Sequence, residues 1–122
     1  MIHLDYRDVR PIYAQITDGF KGQITSGILQ PGDKLPSVRE MASALAINPN
    51  TIQRAYRLLE FNGWIVTIPG KGCFVCDNEA QVEQEVGRWY TAFDEATASL
   101  IALGVSREQM IERIKRGGSE HD

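Results

Sequence analysis

Histidine is almost missing from this chain. The only two, His3 and His121, stand at the extremities of the 122 residues, so no imidazole is available in the interior to move a proton near neutral pH. Cysteine is as scarce, with Cys73 and Cys76 the whole supply. One C-x-x-C with no second pair makes half a zinc site at most, and on a strand residues three apart point to opposite faces, so the two sulfurs diverge unless the strand ends between them. Small apolar fillers in a reducing compartment are the expected role. No glycine loop of the phosphate-cradling kind is present, nor a nucleophile paired with a base in any family pattern, so an enzyme is not expected and neither is a cofactor. No apolar run approaches the roughly 20 residues of a membrane span. The opening MIHLDYRDVRP lacks the basic and apolar regions of a signal peptide, which leads us to expect a cytoplasmic protein without a membrane partner.

Net charge is also low, at −3, which on its face argues against a polyanionic partner. Its distribution says otherwise. Residues 1–78 hold 8 Lys+Arg against 7 Asp+Glu, and residues 79–122 hold 5 against 9, so the two parts carry +1 and −4. Within 34–72 the balance is 5 to 2, or +3. Positive charge is gathered in one short stretch.

That stretch spells two short helices, a tight turn between them, and a hairpin. Ser37 followed by Glu40 is a capping box, and Val38, Met41, Ala42 and Leu45 then make a buried stripe that leaves Arg39 and Ser43 outward. Asn48 is a favoured N-cap, with Pro49 at the first helical position. Ile52, Ala55, Tyr56 and Leu59 face inward on this second helix. At 100° per residue Asn50, Gln53, Arg54 and Arg57 gather on the opposite face, where their amides and guanidinium groups have the geometry to contact adenine, guanine and phosphate. The bland alternative is a solvated polar face. Next come two β-prone runs, Trp64 to Ile68 and Cys73 to Val75, around Pro69-Gly70-Lys71-Gly72. A turn of that kind puts Lys71 at a tip suited to phosphate or the minor groove, or is simply a hairpin with a solubilising lysine.

Ahead of this unit, Leu4 to Tyr6 reads as a short strand or an extended arm. Pro11 opens a helix whose stripe is Ile12, Ile16, Phe20 and Ile24, and Gly27 ends it. Pro31-Gly32-Asp33 then turns into a brief extended piece that could pair with the hairpin.

The run LPSVREMASALAINPNTIQRAYRLLEFNGWI, preceded by PIYAQITDGFKGQITSGILQPGDK, resembles the N-terminal winged helix of the GntR family of bacterial transcription regulators. The likeness extends from Pro11 to about Val75. It implies DNA contacts at Arg39, Asn48, Pro49, Asn50, Thr51, Gln53 and Gly70. The usual Arg-x-Thr-x-x-Arg start of the third helix is replaced here by Asn48-Pro49-Asn50-Thr51-Ile52-Gln53-Arg54, a variant similar to the YtrA-type subfamily, and Arg54 on the same outer face is the candidate substitute for the missing arginine. Residue chemistry and resemblance together give a DNA-binding set of Ser37, Arg39, Asn48, Pro49, Asn50, Thr51, Gln53, Arg54, Arg57, Gly70, Lys71 and Gly72, with no metal ligands.

Beyond Asn78 the pattern changes. Val82, Val86, Trp89, Phe93, Ala96, Leu100 and Leu103 are spaced four, three, four, three, four, three, a heptad seam. Gly104 closes that helix, Ser106 with Gln109 opens another, and Val105, Met110, Ile111 and Ile114 are expected to form its inner face. A two-helix hairpin has a long apolar side and nothing of its own to cover it, so dimerisation through the seam is expected; a tail folded back on the same chain is the alternative. Trp89, Tyr90 and Phe93 offer aromatic surface where a small-molecule effector could bind, although such residues are more often plain packing.

The expected fold is mainly α with a small β-wing: a winged helix-turn-helix over 1–77, then a helical hairpin over 78–122. The expected function is a homodimeric, sequence-specific regulator of transcription, acting on double-stranded DNA at an inverted repeat. The resemblance adds repression, often of a transporter operon. A winged helix used only as a protein adaptor is the alternative.

Overall fold

Each helix begins where a local device satisfies its first amides. The structure, a computed structural model, describes residues 2–117. It contains helices α1 (Ile12–Thr25), α2 (Val38–Leu45), α3 (Pro49–Phe61), α4 (Glu79–Ala102) and α5 (Arg107–Lys115), with strands β1 (Ile65–Ile68) and β2 (Gly72–Val75) between α3 and α4. Both capping boxes form. The Glu40 amide donates to Ser37 Oγ at 3.0 Å while the Ser37 amide donates to Glu40 Oε1 at 2.8 Å, and Ser106 and Gln109 repeat the exchange at the start of α5. At α3 the Asn50 amide donates to Asn48 Oδ1 at 2.8 Å, with Pro49 in the first turn. The fold is thus mainly helical with a small two-stranded sheet, as the sequence implies.

The chain divides into two compact units, Met1–Val82 and Glu83–Asp122, and the division falls inside α4. In the first unit α3 is the hub, packing on α1, α2 and β1. Ile16, Leu35, Ile52, Leu59 and Ile65 are essentially sealed from solvent. The α1 stripe is buried at Ile16, Phe20 and Ile24 and half-buried at Ile12. Phe20 meets Tyr56 edge to face, with ring centroids 5.6 Å apart. The Tyr56 hydroxyl donates to the Pro36 carbonyl at 2.6 Å; burial first, then the charges of Cys73 and Glu40, push this phenol well above its ordinary pKa, so it stays a donor.

The strands pair antiparallel from Ile65↔Val75 to Ile68↔Gly72. The extended piece after Pro31-Gly32-Asp33 adds to their edge as expected: Leu35 N donates to Cys73 O at 2.9 Å and Val75 N to Asp33 O at 2.8 Å. The first residues form an arm and no strand. The buried Gln15 side chain holds that arm, accepting from Asp5 N at 2.8 Å and donating to Asp5 O at 2.9 Å, and Ile2 is buried over Gly19, where an added Cβ would lie 2.9 Å from Ile2 Cγ1.

In the second unit one expectation from the sequence needs correction. Val105 and Met110 are half-buried, but Ile111 and Ile114 are 50% and 58% exposed, so they are not the inner face of a closed hairpin. The helices do not pack face to face along their length. Leu100, Val105 and Met110 instead border an open cavity of about 840 Å³. Two helices can hide only the faces they turn to one another, and apolar groups elsewhere stay exposed.

The turn of the helix-turn-helix stands on an alanine. Ala46 has φ 56° and ψ 47°, the one non-glycine residue with positive φ among those described. Its amide donates to Ser43 O and that of Ile47 to Ala42 O at 3.1 Å, a Schellman closure that consumes two orphan carbonyls. Left-handed geometry at a residue with a Cβ costs roughly 1–2 kcal/mol. Ala46→Gly is therefore expected to stabilise the fold by about 0.5–1 kcal/mol, read from urea denaturation; a loss of stability would show that the alanine methyl packs rather than strains.

Candidate nucleic-acid interface

Burial of one side of α3 decides which residues its other side presents. Ile52, Ala55, Tyr56 and Leu59 are buried, whereas Asn50, Gln53, Arg54 and Arg57 are all exposed. Arg39 on α2 is exposed too. Asn48 and Ser37 are partly committed, because the Asn48 side-chain oxygen caps α3 and the Ser37 hydroxyl accepts an amide at the start of α2; the Asn48 amide hydrogens remain for an outside acceptor. Thr51 is half-buried and Pro49 exposed.

In the turn between the strands Gly70 (φ 77°) has open space where a Cβ would stand, so a backbone could approach closely. Gly72 (φ 122°) differs, because a Cβ there would lie 2.8 Å from Lys34 Cε. Lys34 thus lies over the wing, a basic residue beside the turn that no pattern in the linear sequence singles out. Glu60, equally silent in the sequence, braces the wing against α3: its carboxylate accepts from Thr67 N at 3.2 Å and from Thr67 Oγ1 at 3.1 Å. A third residue, Tyr13 of α1, lies under Arg54, whose Cζ is 3.8 Å from the ring centroid. None of the three carries a local signal, since each acts across a gap between elements.

Charge on this side is left uncompensated. Among the described residues Arg7 pairs with Asp5 and Arg10 with Asp8 and Asp18, all in or beside the arm, and no such ion pair involves Arg39, Arg54, Arg57 or Lys71. The Ser37 amide and hydroxyl, and then the Lys34 charge, hold the Glu40 carboxyl below the usual carboxylate range. Its contribution to the cap is therefore present above the unfolded pKa and lost as pH falls through the folded one.

Both cysteine thiols are free, and burial, followed by the Glu60 carboxylate, pushes the Cys76 thiol up, away from the thiolate a metal or redox centre needs. Among the described residues no group of three or more His, Cys, Asp or Glu could hold a metal, and His121 lies outside those residues. No helix there is long and apolar enough to cross a membrane.

The model of the bacterial regulatory proteins, gntR family, matches residues 12–75. The chain belongs to the GntR family. It is 39% identical to the HTH-type transcriptional repressor YtrA of Bacillus subtilis, with the alignment covering 100% of both chains. A GntR family transcriptional regulator from Listeria monocytogenes superposes with a TM-score of 0.77 at 36% identity, over 93% of this chain and 98% of that one. AraR(DBD), solved in complex with operator ORR3, superposes with a TM-score of 0.54 at 27% identity, over 61% of this chain and 89% of that one. This GntR member is accordingly a transcriptional regulator with a DNA-binding fold, and its relatives are regulators and not enzymes.

If Glu60 holds the wing, Glu60→Ala will speed amide exchange at Thr67 and lower stability by about 1 kcal/mol, with exchange in the buried half of α3 retaining its order of protection. Unchanged exchange at Thr67 would dismiss the brace.

Proposed function

We propose that this regulator binds operator DNA as a homodimer, with the outer face of α3 in the major groove and the Pro69–Gly72 turn against the neighbouring backbone, and that it represses by occluding a promoter. The observation that carries the reading is the α3 surface itself: two amides and two guanidinium groups exposed together, with neither arginine in an ion pair among the described residues. Amides and guanidiniums are the groups that pair with adenine and guanine edges, and unpaired cations release counterions when they meet phosphate. Repression is supported by the name of the Bacillus relative.

Dimerisation is supported by apolar surface that the described residues leave uncovered. On α4, Val86, Trp89 and Phe93 are 48%, 59% and 45% exposed, and Leu100 and Leu103 continue the seam at 38% and 81%. Ala96 on that line is exposed, and only Val82 packs on the core of the first unit. Apolar surface repeating at heptad spacing suits a second copy of the same helix, and two copies read an inverted repeat whose half-sites lie about one DNA turn apart or a multiple of it.

Selection of random duplexes on the purified protein tests the reading at once, and an inverted repeat is the expected product. The double substitution Gln53→Ala, Arg54→Ala is expected to weaken binding to that duplex about 100-fold while circular dichroism and sedimentation stay as in the parent. No enriched sequence, or full affinity in the double variant, would point instead to a winged helix that serves protein contact. Sedimentation at micromolar concentration is expected to give a dimer; a monomer there would remove the paired reading.

A further inference from the structure

The DNA-reading face described above ends at a residue from outside the helix-turn-helix. Tyr13 belongs to α1, and its carbonyl is held by Thr17 Oγ1 at 2.8 Å. Its half-buried ring lies under Arg54 with Cζ 3.8 Å from the centroid, closer than Lys21 over Trp64 at 5.8 Å or Arg88 over Trp89 at 4.8 Å. Tyr13, Arg54, Arg57, Leu58, Glu60 and Phe61 line one groove of about 650 Å³. Glu60 is the acidic residue of that groove, and its carboxylate is already bonded to Thr67 on the wing. Arg54 is therefore held by a ring and not neutralised by a carboxylate.

A guanidinium whose carbon sits 3.8 Å from a ring centroid rests on the ring face, and its five N–H groups lie in the guanidinium plane. That edge is what a guanine O6/N7 pair or a phosphate meets. A free arginine loses much rotamer freedom when it docks, and one already stacked loses less. Resting on the DNA-binding reading above, we propose that Tyr13 is a positioning residue for operator recognition, its ring fixing the Arg54 guanidinium so that the N–H edge faces the duplex.

The test is a double-mutant cycle on a duplex selected from random oligonucleotides with the purified protein. Tyr13→Leu is expected to weaken binding about threefold to fivefold, Tyr13→Phe to keep the parent affinity, and Tyr13→Leu in an Arg54→Ala background to have no further effect. An additive loss in that background would overturn the proposal, because a merely structural tyrosine, or one that touches DNA itself, acts whether or not Arg54 is present. Equal losses for Tyr13→Phe and Tyr13→Leu would overturn it too, by assigning the effect to the hydroxyl. A second readout needs no variant that might unfold: in the free parent protein the Arg54 side-chain Nε–H resonance should carry a ring-current shift, and its absence would refute the stack. Arg54→Ala binding as tightly as the parent would be a separate failure, removing the DNA reading at this residue and the proposal with it.

Discussion

Helix α3 has to hide one side of itself, and most of the first unit follows from how it does so. Its buried residues are held from three directions, by α1, by α2 and by the first strand of the wing. Tyr56 ties that burial to the chain entering α2, since the same side chain that packs on Phe20 also satisfies the Pro36 carbonyl. A helix pinned on one side cannot choose what it shows on the other. Asn50, Gln53, Arg54 and Arg57 are presented because Ile52, Ala55, Tyr56 and Leu59 are not.

Electrostatics completes the surface that packing exposes. Glu40 is engaged in the cap of α2 and Glu60 in the brace to Thr67, while Asp5 and Asp8 of the arm and Asp18 of α1 pair with Arg7 and Arg10. An acidic protein can therefore own a locally basic face, because residues 34–72 hold five cations against two carboxylates and both of those are bonded to other groups. Hydrogen bonds that look like minor fold details thus help to leave the arginines uncompensated.

What could be read in the sequence was what is decided locally. Ser37 and Glu40, Asn48 and Pro49, and Ser106 with Gln109 announce helix starts because a cap needs only three or four consecutive residues. The wing and its edge partner were equally plain, since glycine and proline punctuate both. Ala46 was silent: nothing about an alanine says that it will take the left-handed geometry, and it does so because Ile47 beyond it packs on the core. Tyr13 and Lys34 are silent because the partner of each lies about forty residues along the chain, and Glu60 because its partner Thr67, though seven residues away, lies on another element; helical periodicity does not say which side chains meet across such gaps. Ile111 and Ile114 were misplaced because apolar spacing marks a face that wants covering without saying whether the same chain supplies the cover.

If the arginines of α3 are kept unpaired for phosphate and base edges, their presence must be visible in how binding responds to salt. The direct measurement is the slope of log affinity against log salt concentration for a selected duplex, in the parent and in Arg54→Ala, Arg57→Ala. With two copies of each residue in a dimer, and roughly 0.9 for every phosphate no longer neutralised, affinity should fall and the slope should become shallower by about 2 if only Arg57 meets phosphate and by about 3 to 4 if both arginines do. A variant that stays dimeric and folded but keeps both the parent affinity and the parent slope would show that these guanidinium groups never approach the duplex, and that α3 is turned away from it.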